Sequence, residues 1–427
     1  MLAAVLLIAM YPDWVPARWP SADVKSLELL ANTPINCLWL ERPQWSAGFA
    51  AEAAKRGIAT LGVIRREGDP IEAARALAKT GMTGGVLEGN FDEYSLTILT
   101  ATLAKAKMMY LEAGPRSRVR FDSGAPILAT SQGLWPGIHV EKGSDASAGP
   151  TANPWIDTNT GFLRYARAST EAAVWMAVRP PEKTVYPVTR YLQAIGDAAM
   201  NGARWVVALD SDLERRLLAR EPKALKDWGQ IGAALRHFEE HREWRAAAPA
   251  GHIAIVQDDG QARLSGGLFD MLASKHMPVF AVPRERLAGL SRKEKLVFEA
   301  PPVTGQSTGQ SEEAFVYDPK DTSVNTVWQK VAGEVGRRNM GARLFNVSSM
   351  LSHVVELKGQ KQLVLHLVNY SDYPASGITA RVLGVYSRAR LFRPGEAPVD
   401  LETEKVEDGT GFAIDQRITT IATVVLE

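Results

Sequence analysis

Three apolar runs in the first half of this chain end on an acid: Val86-Leu87-Glu88, Met109-Tyr110-Leu111-Glu112 and Val206-Val207-Ala208-Leu209-Asp210. Turn-forming residues follow each one, as Gly89-Asn90, Ala113-Gly114-Pro115 and Ser211-Asp212. Carboxyl groups converging from separate strand ends can protonate a leaving oxygen and act on the opposite face of a sugar, the requirement of glycosidic bond hydrolysis. Neighbouring strands lie about 4.8 Å apart. Glu88 and Glu112, at adjacent strand ends, therefore fit the ~5–5.5 Å separation of a nucleophile and an acid/base. In that assignment Glu88 is the nucleophile, Glu112 the acid/base, and Asp210 holds a sugar hydroxyl or tunes the other two. The same acids would serve as helix caps, or as partners of Arg65, Arg66 and Arg179, which also sit at strand ends.

Indole rings form the next candidate set. Trp14, Trp45, Trp135 and Trp155 lie in or beside loops that follow strand-like runs. Their faces stack on the C–H faces of sugars and their N–H groups bond hydroxyls. Trp14, Trp45 and Trp135, with Arg65 and Arg179, are the expected substrate-binding residues, although core packing would explain the same rings. Trp39 sits inside a strand and reads as core. His237-Phe238-Glu239-Glu240-His241 has the H-x-x-E-H spacing of a zinc site. Its helix lies among charged residues and lacks a third ligand, so no metal and no cofactor are expected. Gly84-Gly85 and Gly266-Gly267 lack the spacing of a nucleotide-binding loop.

Unbroken apolar runs mean strands covered on both faces, as in parallel sheets. Residues 4–10, 35–40, 59–64, 84–87, 108–111, 126–130, 172–178 and 203–209 are such runs. Helical patterns separate them. Asp69-Pro70 opens one as cap and first-turn proline, Leu96 to Lys107 is a second, and Tyr191 to Met200 ends at Asn201-Gly202. Eight such units in about 250 residues make an α/β fold of the (β/α)8 TIM barrel type. Ser131 to Thr158, rich in Gly, Ser, Pro and Asp, is too long for an ordinary connection and reads as a lid or substrate-binding insertion. The barrel spans residues 1–248. Residues 249–340 read as a small αβ domain, with strands at 252–256 and 278–282. Residues 341–427 read as a β-sandwich, with short apolar runs between turns.

Bulk composition narrows the function classes. The chain has 427 residues, 46% hydrophobic and 23% charged, with a formal net charge of +1. A near-neutral surface gives no electrostatic footprint for nucleic acid. No run reaches the ~20 apolar residues of a membrane span. The single cysteine, Cys37, forms no internal disulfide and no thiolate metal site. Met1 to Met10 reads as the first buried strand rather than a secretory remnant, because it lacks a basic start and a cleavage site.

Ile253-Ala254-Ile255-Val256-Gln257-Asp258 with Leu268-Phe269-Asp270-Met271-Leu272 and Met277-Pro278-Val279, Leu365-His366-Leu367-Val368-Asn369-Tyr370-Ser371, and Gly202-Ala203-Arg204-Trp205 carry a resemblance. In this order of barrel, glutamine-amidotransferase-like domain and sandwich, the chain resembles the β-galactosidases of glycoside hydrolase family 42. That resemblance implies a carbohydrate substrate and glycoside hydrolysis, and leaves a homo-oligomer open, since the middle domain of similar enzymes mediates assembly. It also favours a periplasmic or extracellular location over a cytoplasmic one. The chain departs from the family at two points. Strand four ends Leu87-Glu88-Gly89-Asn90 without the Asn-Glu pair, and strand seven ends Met176-Ala177-Val178-Arg179 without an acid. No cysteine follows Cys37, which excludes amidotransferase chemistry. The alternative to a hydrolase is a barrel that binds carbohydrate without cleaving it. An isomerase or lyase is disfavoured, because neither a metal triad nor a phosphate loop is apparent.

Overall fold

The apolar runs become barrel strands in a computed structural model of the chain. It describes residues 13–136, 139–141, 147–149, 156–251, 253–257, 269–270, 272–273, 275–289, 296–299, 315–316, 329, 331–334, 336, 341–347, 349–357, 359–407 and 409–427. The barrel strands are β1 (Pro16–Arg18), β2 (Cys37–Leu40), β3 (Ala59–Arg65), β4 (Gly84–Glu88), β5 (Met109–Gly114), β6 (Ile127–Thr130), β7 (Ala173–Met176) and β8 (Arg204–Trp205). They pair in sequence order as one eight-stranded sheet. Ala17 in β1 bridges in parallel to Val207 just past β8. Arg18 N donates to Val207 O at 2.7 Å, and Val207 N to Pro16 O at 3.1 Å, so the sheet returns to its own first strand.

One expectation is corrected here. The stretch 4–10 assigned as the first strand lies outside the described residues, and the first barrel position belongs to Pro16–Arg18, which was assigned to no strand. Proline is tolerated at the first residue of a strand, where its missing N–H breaks no ladder bond. A 3-10 helix, Val24–Leu30, capped by the Asp23 side chain, follows it.

Strand alternation divides the barrel residues into two sets. Cys37, Trp39, Leu61, Val63, Val86, Leu111, Ala113, Ile127, Ala129, Trp175, Ala177 and Val206 fill the interior with Trp14. Leu38, Leu40, Ile64, Leu87, Leu128, Val174, Met176, Trp205 and Val207 face the helices. Local sequence explains where those helices start. Ser46, Asp69 and Asp92 cap α1 (Ala47–Lys55), α2 (Pro70–Leu77) and α3 (Glu93–Lys105) through side-chain bonds to backbone N–H groups. Between β5 and β6 only a 3-10 turn, Arg116–Arg118, intervenes. Next come α4 (Thr160–Ser169), α5 (Val188–Met200), α6 (Ser211–Leu218) and α7 (Pro222–Glu239). In the long connection after β6, His139–Glu141 pairs with Ser147–Gly149 in antiparallel fashion. Trp155 lies outside the described residues.

Beyond the barrel, β9 (Ile253–Gln257), β10 (Val279–Pro283), β11 (Leu296–Glu299) and β12 (Phe315–Val316) form a parallel sheet in the order β10-β9-β11-β12. The C-terminal part has two sheets. One contains Met350–Leu357, Gln362–Asn369 and Ile421–Leu426, and the other Ile378–Val382 and Gly409–Ile414. Both contribute to one apolar core, around Leu365, Leu367, Ala380, Ile414 and Val424. Buried polar contacts tie these parts to the barrel. Arg164 of α4 donates to Asn201 Oδ1 at 3.0 Å and to Val279 O at 2.6 Å, and its Nη2 lies 2.9 Å from His353 Nδ1. The histidines of the H-x-x-E-H stretch serve the same junction. His237 Nε2 lies 3.0 Å from Thr423 Oγ1, and His241 stacks on Trp244. Among the described residues no cluster of His, Cys, Asp and Glu could hold a metal ion. No described helix is long and apolar enough to cross a membrane.

Gly84 tests the closeness of the sheet. A Cβ built there would lie 2.4 Å from Met109 O of the paired strand, a contact that backbone cannot relieve. Gly84→Val is expected to lower stability by about 1–3 kcal/mol. A drop in the urea midpoint at constant m is the expected signature; an unchanged midpoint would contradict the packing described.

Candidate functional site

The interior alternation continues one layer past the apolar filling. Arg18 follows Trp14 and Pro16, Glu41 follows Trp39, Arg65 follows Val63, Glu88 follows Val86, and Arg179 follows Trp175 and Ala177, each two residues beyond its inward-facing predecessor. Five charged side chains from five strand ends therefore meet over the apolar plug at the C-terminal face, where the active sites of such barrels lie.

Their contacts form a lattice. Both Glu88 oxygens accept from Arg18, one of them at 3.3 Å from Nη1, and the pair is buried. Glu88 Oε2 also accepts from Arg65 Nε and Arg179 Nη2, each at 3.2 Å. Glu41 Oε1 accepts from Arg65 Nη2 at 2.8 Å and from Arg179 Nη2, with Arg18 Nη1 at 3.5 Å. The Arg18 guanidinium lies 5.0 Å from the Trp39 ring centroid, and its Nε is buried without a hydrogen-bond partner among the described residues. Burial pushes the Glu41 carboxyl above its usual range, against the pull of Arg65 and Arg18. Glu214, in the first turn of α6, faces the same charges. Burial, with the negative fields of Asp210 and Glu41, pushes it up to about 7. Its carboxyl has no hydrogen-bond partner among the described residues.

The structure brings Glu88, Arg65 and Arg179 together and leaves the other expected residues elsewhere. β5 continues past Glu112 to Gly114, so Glu112 is mid-strand, opposite Leu87, while Ala113 is opposite Glu88. Glu112 is exposed on the outer face and does not share the mouth with Glu88. It lines a groove of ≈ 730 Å³ with Phe91, Leu96, Tyr110, Val119 and Leu128, at the helix-free β5–β6 connection. Burial pushes its carboxyl up, opposed by Arg118. Asp210 caps α6. Its Oδ1 accepts from Asp212 N and Leu213 N, and its Oδ2 from Tyr186 N and Tyr191 Oη. The carboxylate is buried, and all four of these bonds come from protein groups.

The tryptophans are likewise engaged in packing. Trp14 is buried in the interior with Cys37 and Ala59, at the N-terminal ends of β2 and β3, the end opposite the mouth. Trp45 donates to Leu40 O at 2.9 Å and packs at Gly62 on the outer face of β3. Trp135 is buried against Tyr186, Tyr191 and Trp205, and its Nε1 donates to Arg179 O at 3.0 Å. It fixes the backbone that carries Arg179.

Arg18, Glu41 and Glu214 escaped the sequence-level assignment. Glu41 follows the same rule as Glu88, an acid directly after an apolar run, and was legible on that rule. Arg18 depended on knowing the first strand, and Glu214 on the direction in which a helix turn points.

No protein-family model matches the chain, and no curated protein sequence matches it. Among solved structures, α-L-fucosidase isoenzyme 2 from Paenibacillus thiaminolyticus aligns over 97% of this chain and 99% of its own, with a TM-score of 0.61 and 10% identity. The apo exo-carrageenase of glycoside hydrolase family 42 from Bacteroides ovatus covers 78% of this chain and 54% of its own, at a TM-score of 0.43 and 9% identity. A family 42 β-galactosidase from G. stearothermophilus covers 89% and 66%, at 0.31 and 8%. The first likeness establishes a shared fold of glycosidase-like barrel type. The other two are too weak to carry weight, so a membership in family 42 does not follow.

Two substitutions separate the structural from the chemical roles here. Arg18→Met removes the buried partner of Glu88, for which losses of about 3–5 kcal/mol are typical; the remaining Arg65 and Arg179 favour the lower end. Adding Glu88→Gln should recover part of that loss, and strict additivity in the double-mutant cycle would deny the coupling. Asp210→Ala removes the cap of α6 and strands the Tyr191 hydroxyl, at a cost of about 2 kcal/mol in a thermal or chemical melt.

Proposed function

We propose that the chain is a glycoside hydrolase acting at the barrel mouth, with Glu214 and Glu41 as its working carboxyls. The observation that carries this is the contrast between two partly exposed acids at one site. Glu41 is bridged by Arg65 and Arg179, whereas the Glu214 carboxyl has no hydrogen-bond partner among the described residues. Two carboxyls at one site in unlike surroundings, one bridged by guanidiniums and one without them, suit a division into base and acid. Glu214 holds its proton near neutral pH and delivers it to the glycosidic oxygen as the C–O bond breaks. Glu41, whose Oε1 is held by Arg65 and Arg179, acts opposite it in its ionised form, either on the anomeric carbon or on the water that attacks it. The distance between their carboxyls decides between retention, at about 5–5.5 Å, and inversion, at about 6.5–9.5 Å. Glu88, with its lone pairs occupied by Arg18, Arg65 and Arg179, anchors the site instead of attacking.

The saturation of Glu88 also favours a second function, a barrel that binds carbohydrate without cleaving it. A panel of aryl glycosides decides between them. Hydrolysis by the wild type, reduced about 10²-fold or more in Glu214→Gln and Glu41→Gln, supports the hydrolase. Because Glu214 must be protonated, kcat/KM should fall as pH rises through about 7, and Glu214→Gln should lack that limb. Glu112→Gln, on the outer face, should turn over normally. Hydrolysis that survives both mouth substitutions would remove this assignment. Sugar binding without turnover would select the second function.

A further inference from the structure

We infer that the barrel mouth selects a sugar bearing an anionic group, a carboxylate or a sulfate ester, and grips it through Arg65 and Arg179. This deepens the carbohydrate reading of the same site and rests on it. The mouth layer holds three guanidiniums, Arg18, Arg65 and Arg179, against two carboxylates, Glu41 and Glu88, a formal excess of one positive charge while Glu214 keeps its proton. The excess lies on the solvent side. Arg18 is buried, with its two terminal nitrogens committed to Glu88, Glu41 and Ala177 O. The Arg65 and Arg179 side chains remain 37% and 40% exposed.

Their donor edges are only partly used. Arg65 commits Nε and Nη2 to the two glutamates, and Nη1 has no partner among the described residues. Arg179 commits Nη2 alone, to both glutamates, and its Nε and Nη1 have no partner among the described residues. Such N–H groups make charge-assisted hydrogen bonds to carboxylate or sulfate oxygens, stronger than bonds to neutral acceptors. Two features hold Arg179 in place before any ligand arrives. Glu41 and Glu88 clamp the Nη2 side of Arg179, and the Trp135 indole bonds its carbonyl. A neutral sugar could use the same donors through hydroxyls. It would leave the excess charge of a half-buried, partly desolvated mouth uncompensated, whereas an anion neutralises it.

Calorimetry on the full chain at low and physiological salt tests the inference. The probes are glucuronate and galacturonate for the carboxylate arm, galactose 6-sulfate for the sulfate arm, glucose and galactose as neutral parents, and inorganic sulfate alone. At least one anionic sugar should bind ten-fold or more tightly than its parent, with affinity falling as salt rises. Arg179→Gln and, independently, Arg65→Gln should erase most of that difference; circular dichroism checks that each variant folds. Arg179→Lys, which keeps the charge without the planar set of donors, should restore the affinity only in part. Neutral sugars binding as well as charged ones would overturn the anion preference and leave the carbohydrate site standing. Failure of every sugar to bind would remove both. Inorganic sulfate binding as tightly as the sulfated sugar would reduce the mouth to a simple anion site and likewise overturn the proposal.

Discussion

The buried ion pair between Arg18 and Glu88 governs the mouth of this barrel. It joins the end of the first strand to the end of the fourth, across the opening. Taking two charges out of water costs several kcal/mol per ion, and only good geometry with further hydrogen bonds offsets that loss. Here the geometry is a two-oxygen grip, and Arg65 and Arg179 supply the further donors. The Trp39 ring under the Arg18 guanidinium adds a cation–π contact in a place water does not reach. The pair exists only because the ring closes at Ala17 and Val207, which brings β1 up beside β8 and aims Arg18 inward.

Once that pair is in place, the remaining charges sort themselves. Arg65 and Arg179 touch both glutamates, so a single guanidinium layer holds Glu41 and Glu88 at once. Glu214 approaches the mouth from α6 without an arginine of its own and feels only burial and the acids beside it. Asp210 starts that helix, and its four hydrogen bonds fix where the first turn points. Asp210 thus bears on the mouth through the turn that carries Glu214.

The repeating strand and helix pattern was legible from residue types, because parallel strands covered on both faces leave unbroken apolar runs. Glu88, Arg65 and Arg179 were legible for the same reason, since each directly follows or closes such a run. β1 was not. A three-residue strand containing Pro16 and Arg18 has no hydrophobic signature, and its interior-facing arginine is stabilised by partners from β4 and β7 that sequence distance conceals. Glu112 was misplaced by strand parity. A run that seems to stop at an acid continues two residues further, and one step along a pleat reverses the face. Chain order gives adjacency of strands, and only register gives adjacency of side chains.

The aromatic residues bear on recognition in a way their number hides. Trp39 and Trp175 lie 6.2 Å apart inside the barrel, and Trp135 is enclosed by Tyr186, Tyr191 and Trp205. Rings buried in this way cannot offer a face to a sugar. They stiffen the floor beneath the arginine layer and the loop that carries Arg179, which lowers the ordering cost of a ligand that meets those guanidiniums. If the mouth takes a sugar, as proposed, its selectivity lies in the charge and direction of the arginine donors. Stacking would accept many sugars, and these rings are not placed to stack.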